Sequence, residues 1–170
     1  MKRFIFFFFL FLVPNFIFGQ KFAYVDTEYI LSNIPSYKAA QDKLNNLSQE
    51  WQQEIEEEYA RIDKLYKDFQ AEKVLLTDDM IKQRKTELLA EEKSVKDLQR
   101  KYFGTHGELF KKREELIKPI QDQVYTVIQE IAQSGNYAII FDAASGSNVL
   151  FTDPKYDKSD EVLEKLGYKN

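Results

Sequence analysis

Cysteine is absent from the 170 residues. That excludes disulfides, thiolate metal ligands, a cysteine nucleophile and a lipid-modified N-terminal cysteine. Histidine occurs once, as His106, so imidazole metal sites and a Ser-His-Asp triad are hard to assemble. Glycine and proline are scarce, at 6 and 4 residues, which argues against a many-turned all-β fold. Apolar residues (44%) and charged residues (31%) are plentiful. The chain is too apolar for a disordered tail and too charged for a polytopic membrane protein. Its length fits one modest domain, with room for an extension.

The first nineteen residues read as a leader. Lys2 and Arg3 precede an unbroken apolar run, Phe4 to Val13, which Pro14 and Asn15 break. Ile17-Phe18-Gly19 resembles a small-residue cleavage site. The run is shorter than the ~20 residues that span a bilayer. An uncleaved anchor is the alternative, because Phe16 to Phe18 extend the apolar stretch. Cleavage near Gly19 exports a mature chain beginning at Gln20 or Lys21. Loss of Lys2 and Arg3 takes the net charge from −4 to −6. So acidic a chain is a poor ligand for phosphate backbones, and no nucleic-acid partner is expected.

Phe22 to Asp26 alternates in the manner of a strand. Asp26 or Thr27 can cap a short helix, Glu28 to Asn33, which Pro35 stops, and Ser36 caps the next. From Tyr37 to Leu76 there is neither glycine nor proline, and apolar residues recur every three or four positions. This predicts one long amphipathic helix, too long for a small domain to cover. Thr77-Asp78-Asp79 breaks the pattern. A second helical stretch from Met80 to Ser134 carries two seven-residue columns. One is Ile81, Leu88, Val95, Tyr102, Leu109 and Leu116. The other runs from Leu89 through Phe103, Phe110, Ile117 and Val124 to Ile131, interrupted by Lys96. Sustained sevens signal a coiled coil.

Two long helices joined by so short a turn lie antiparallel. Folding about the turn pairs Phe69 with Thr86, Ile62 with Lys93 and Trp51 with Gly104. Gly104 and Gly107 fall inside the second helix, where each costs about 1 kcal/mol against alanine. A bulky Trp51 opposite them gives a packing reason, and a hinge in the arm is a compatible functional one. Pro119 bends the helix where the arm enters a compact body.

Gly135-Asn136 supplies a left-handed cap. Tyr137 to Asp142 reads as a buried strand, Ala143 to Ser147 as a turn and Asn148 to Thr152 as the returning strand. Asp157 or Ser159 caps a last helix, Asp160 to Leu166. The expected fold class is α+β. A small β body is built from residues 20–36 and 119–170, and a helical hairpin arm from residues 37–118. Three short strands per chain with open edges call for oligomerisation, in which several chains close a shared sheet.

No catalytic constellation emerges, no metal or cofactor site is expected, and the chain does not read as an enzyme. Glu56-Glu57-Glu58 points in different directions on a helix and reads as a solvated face, as do Glu91-Glu92 and Glu114-Glu115. His106 has no second ligand nearby. Ser145-Gly146-Ser147 lies in a hairpin rather than before a helix, so it does not cradle phosphate. Asp26 and Asp142 read as caps and turn residues. The arm aromatics Tyr59, Tyr66, Phe69, Tyr102, Phe103 and Phe110 exceed what a two-helix seam can use. About half are expected to pack the hairpin, and the rest to form a binding surface.

The order of parts resembles the Skp/OmpH family across essentially the whole mature chain. The residues that carry the resemblance are Phe22 to Thr27, the heptad return ending in Lys112 to Ile120, and the Asp157-x-Ser159-Asp160-Glu161-Val162 ending. The resemblance implies a periplasmic, ATP-independent chaperone and a jellyfish-like homotrimer. A shared β-barrel body would carry three arms that enclose unfolded outer-membrane proteins. Well-known members are strongly basic, whereas this mature chain is acidic. Residues 73 to 101, at the arm end, hold 8 basic and 6 acidic side chains. Lipopolysaccharide binding is therefore not carried over, and client capture is expected to rest on apolar contact and enclosure. The alternative from the residues alone is a coiled-coil spacer or adaptor that binds one folded envelope partner.

Overall fold

A computed structural model of the chain describes residues 20–144 and 150–168. Residues 1–19, read above as a leader, Ser145-Gly146-Ser147 and the Asn148-Val149 start of the expected return strand lie outside the described residues.

Strand β1 (Lys21–Val25) passes into helix α1 (Thr27–Ser32) through Asp26. The Asp26 carboxylate accepts from the Tyr29 amide at 2.8 Å and so caps the helix as expected. Helix α2 (Pro35–Glu72) begins with its proline rather than after it, and Ser36 makes no cap. Proline suits a first turn, because its missing N–H would find no partner there and its φ is already helical. The 38 residues of α2 extend about 57 Å. A 3₁₀ turn, Lys73–Leu75, ends it. The Thr77 hydroxyl then accepts from the Met80 amide and opens helix α3 (Asp78–Phe103).

The return is three helices rather than one. After α3 come α4 (Glu108–Leu116) and α5 (Lys118–Ser134). Gly104 to Gly107 forms the first interruption and Ile117 the second. Pro119 occupies the first turn of α5, where it starts a helix instead of bending one. Beyond α5, Asn136 adopts φ +52° while Gly135 keeps a right-handed conformation. Asparagine is among the few non-glycine residues that tolerate this region.

Strand β2 (Tyr137–Asp142) lies parallel to β1, with Phe22 beside Ile139 and Val25 beside Asp142. Among the described residues the sheet has two strands, not three, and Leu150 to Thr152 join no strand. The C-terminal segment occupies the other side of β1. A 3₁₀ turn, Pro154–Tyr156, brings Asp157 beside Tyr24, and the Lys158 amide donates to the Tyr24 carbonyl at 2.9 Å. Helix α6 (Ser159–Lys165) follows. Nor is β2 buried as expected: Ile139 and Phe141 are 47% and 45% exposed in the single chain.

The Asp-x-Ser ending now has a physical reason. The Ser159 hydroxyl donates to Asp157 at 2.6 Å and accepts the Asp26 amide at 2.8 Å. Asp142 holds the Thr27 amide and hydroxyl from the other side. These bonds tie β1, β2 and α6 at one point, and Ser159 is 2% exposed. Ser159→Ala leaves the Asp26 amide without its partner, so a loss of about 1–3 kcal/mol is expected. Faster amide exchange in α6 and at Asp26 would register it; unchanged exchange would contradict it.

Three apolar clusters hold the chain. Val25, Ile30, Ile34, Val124, Ile131, Val162 and Leu163 pack where the two termini meet. Ala40, Leu44 and Ile117 form a second, at the root of the hairpin. Ile55, Ile62, Val95 and Tyr102 form a third, along it.

Candidate functional site

The arm is built on spacing. On α2, Ile55, Ile62 and Phe69 stand seven residues apart, and all are buried. On α3, Val95 and Tyr102 from the first heptad column meet Ile55 and Ile62. The second column behaves differently. Leu89 and Phe110 are exposed, whereas Ile117, Val124 and Ile131 are buried. One column therefore seals the arm, and the other becomes the core of the body from Ile117 onward. Lys96, the polar interruption, marks the stretch from Leu89 to Lys96 in which the second column faces solvent, whereas Phe103 of the same column packs beside the seam.

Antiparallel pairing is close to that expected. Trp51 stacks flat on Tyr102 (centroids 4.8 Å, 3° between planes) and meets Phe103 edge-on at 6.4 Å. It thus faces the two residues before Gly104 rather than Gly104 itself. The Tyr102 hydroxyl donates to Glu54 across the hairpin at 2.8 Å, and this bond to a carboxylate pushes the phenol above its usual range. Arg61 bridges Glu58 on its own helix and Glu91 on the facing one.

Gly104 and Gly107 do not lie within a helix. They bound a tight jog, in which the Gly104 amide donates to Arg100 and the Gly107 amide to Gly104, at 2.9 and 2.8 Å. A Cβ on Gly104 would sit 2.4 Å from the Arg100 carbonyl oxygen. One on Gly107 would sit 2.7 Å from that of Tyr102. Close backbone approach therefore accounts for both glycines. Helix α2 runs unbroken past the jog.

The six arm aromatics divide. Phe69 and Tyr102 are buried and Phe103 is half-buried, all in or beside the seam. Tyr59, Tyr66 and Phe110 are exposed at 41%, 51% and 42%. Tyr59 and Tyr66 are seven residues apart and so share one face of α2. Sequence reasoning passed over the aliphatics at the far end. Val74 and Leu75 are 87% and 83% exposed, and Met80 and Leu89 are exposed too. The signal was available, because Val74-Leu75-Leu76 abuts the Thr-Asp-Asp turn and no facing helix reaches past it. In the body, a cleft of about 790 Å³ opens beside β1, with Phe22, Tyr24, Phe141, Phe151 and Tyr156 in its lining.

The acidic runs carry no constellation. Gln52, Gln53 and Arg61 bind Glu56, Glu57 and Glu58 separately along α2. Among the described residues no three metal-ligating side chains come together. His106 is exposed in the jog and lies edge-on to Phe110 at 5.7 Å. No helix among the described residues is long and apolar enough to cross a membrane.

A helical hairpin that rises from a body made of both termini is a distinctive arrangement, and the comparisons agree with it. The family model for outer membrane protein (OmpH-like) matches residues 21–166. The chain belongs to the Skp/OmpH family. It is similar in fold to the crystal structure of a putative outer membrane chaperone (OmpH-like) from Caulobacter crescentus CB15. The TM-score is 0.68 at 18% identity, over 86% of this chain and 83% of that one. An uncharacterized protein of Aquifex aeolicus (strain VF5) is 25% identical over 166 residues, 98% of this chain and 96% of that protein.

Proposed function

We propose that this OmpH-like chain is an ATP-independent holdase of the periplasm that shields unfolded outer-membrane proteins between helical arms. The observation that carries the reading is the arm itself: a sealed two-helix seam with Tyr59, Tyr66 and Phe110 left outside it. A β-barrel chain before folding exposes apolar side chains at alternate positions. Weak, non-directional contact with scattered rings covers such segments without fixing their register. Family membership and the fold shared with the Caulobacter protein support the client class.

Enclosure needs more than one arm, and the body supplies a reason to assemble. Ile139, Phe141 and Phe151 are exposed in a single chain beside an apolar cleft. We take these surfaces to be covered by other copies, three in the family's manner. The exported chain then comprises a body from residues 20–36 and 119–170 and an arm from residues 37–118. Arm bending at Gly104–Gly107 requires α2 to flex beside Trp51, so the joint is stiff, and most adjustment of the cavity is left to the root near Ile117.

Replacing Tyr59, Tyr66 and Phe110 together by serine is the direct test. Their exposure predicts an unchanged thermal midpoint. Suppression of aggregation of a urea-diluted β-barrel should weaken by about fivefold or more, since each lost ring contact costs roughly 0.5–1.5 kcal/mol. Undiminished suppression would remove these side chains from client capture. Defined binding to one folded envelope protein, without suppression, would favour the spacer instead.

A further inference from the structure

One residue separates the expected leader cut from β1. A small residue precedes such a cut, and Gly19 is the only glycine, alanine or serine between Val13 and Lys21. Gln20 then becomes the first residue of the exported chain. It is exposed, stands just ahead of β1, and its side-chain amide meets no partner among the described residues. Lys21, by contrast, is engaged. Its ammonium donates to the Gly135 carbonyl at 3.3 Å and lies 6.0 Å from the centre of the Tyr137 ring.

We propose that Gln20 closes on itself after export, so that the mature chain begins with an uncharged pyroglutamate ring. The inference rests on the export proposed above. The α-amine nitrogen attacks the side-chain amide carbon, Cδ. A new N–Cδ bond closes a five-membered lactam, the Cδ–Nε2 bond breaks, and one amine proton passes to the departing nitrogen, which leaves as ammonia. Nothing is oxidised or reduced, and no co-reactant is consumed. Both reacting groups sit on one residue, so closure is intramolecular, and no hydrogen bond to the body holds either of them back.

The surroundings favour the ring over the amine. Gln20 lines the cleft beside β1 together with Phe22, Tyr24, Phe151 and Tyr156. The charged residues of that lining are Lys21, Asp153 and Lys155, and Asp153 already holds Lys155 at 2.7 Å. An α-ammonium would be a third cation beside a single carboxylate that is already taken. Covering the cleft with another copy would bury that charge unpaired, at a cost the neutral lactam avoids.

The full chain, leader included, is expressed in a Gram-negative host, purified from the periplasm and held for days at neutral pH. Stepwise degradation from the N-terminus and intact mass are then read on one sample. The degradation should give no sequence, and the mass should be that of residues 20–170 less one ammonia. Gln20→Glu, whose carboxylate is a far poorer acyl donor, should restore a readable sequence from residue 20 with no loss of ammonia. A free Gln20, or a chain that starts at Lys21, would overturn the lactam while leaving the holdase reading to aggregation suppression by the same sample. A chain that retains residues 1–19 would overturn export as well.

Discussion

Ile131→Ala is expected to destabilise the protein by about 2–5 kcal/mol. Ile131 is 1% exposed and packs with Val25, Ile30, Ile34 and Val162, so a single residue of α5 touches material from both termini. Truncation leaves a void that strand, helix and C-terminal segment cannot all relax to fill. At about 2–4 °C per kcal/mol for a chain of this size, the midpoint should fall by roughly 5–15 °C. The comparison belongs at fixed protein concentration, because self-association adds to apparent stability. A shift under 2 °C would contradict the assignment of this cluster as the core of the body.

The second large effect concerns a sign. Read as a helix-interior residue, Gly107 should gain about 1 kcal/mol on replacement by alanine. The jog reverses the expectation. The new methyl would lie 2.7 Å and 2.8 Å from two carbonyl oxygens and 2.9 Å from the Gly104 nitrogen, all of them backbone. Backbone cannot swing aside as a side chain can, so Gly107→Ala should cost about 1–3 kcal/mol. Thermal unfolding gives the sign. The near-ultraviolet circular dichroism of the Trp51–Tyr102 stack gives the location, because the jog directly follows Phe103. A higher midpoint with the aromatic signal intact would mean that the two glycines are dispensable helix residues after all.

Periodicity made the hairpin legible. Apolar spacing on α2, the capping run at Thr77 and the first heptad column together specify two antiparallel helices and nearly their register. Trp51 was expected opposite Gly104 and lies against Tyr102 and Phe103, a difference of one to two residues. What periodicity could not show was continuity. A heptad column passes through the jog without a missed beat, from Tyr102 to Leu109, because the four non-helical residues preserve the phase. Only the two glycines marked the place, and a glycine in an apolar repeat reads equally well as a tolerated cost.

Strands were harder. A run such as Tyr137 to Asp142 reads as a buried strand, yet in the single chain none of its residues is buried: Tyr137 and Ile140 pack against the core, and Ile139 and Phe141 stand open. Side-chain pattern does not distinguish a face covered by the same chain from one left for another. Among the described residues Leu150 to Thr152 do not pair with Tyr137–Asp142 as the expected return strand, and the C-terminal segment lies instead on the other side of β1. Which segment takes the free side of β1 depends on the bond from Lys158 to Tyr24, and no local signal announces it. The arm surface was half legible: composition showed an excess of rings, and burial decided which of them pack and which stand in solvent.

Aggregation of a urea-denatured outer-membrane β-barrel, diluted into buffer with residues 20–170 and no nucleotide, tests the holdase reading most directly. Light scattering should fall with added chaperone and reach its floor near one oligomer per client, as enclosure requires. Scattering unaffected at several-fold excess of a folded, oligomeric protein would contradict it.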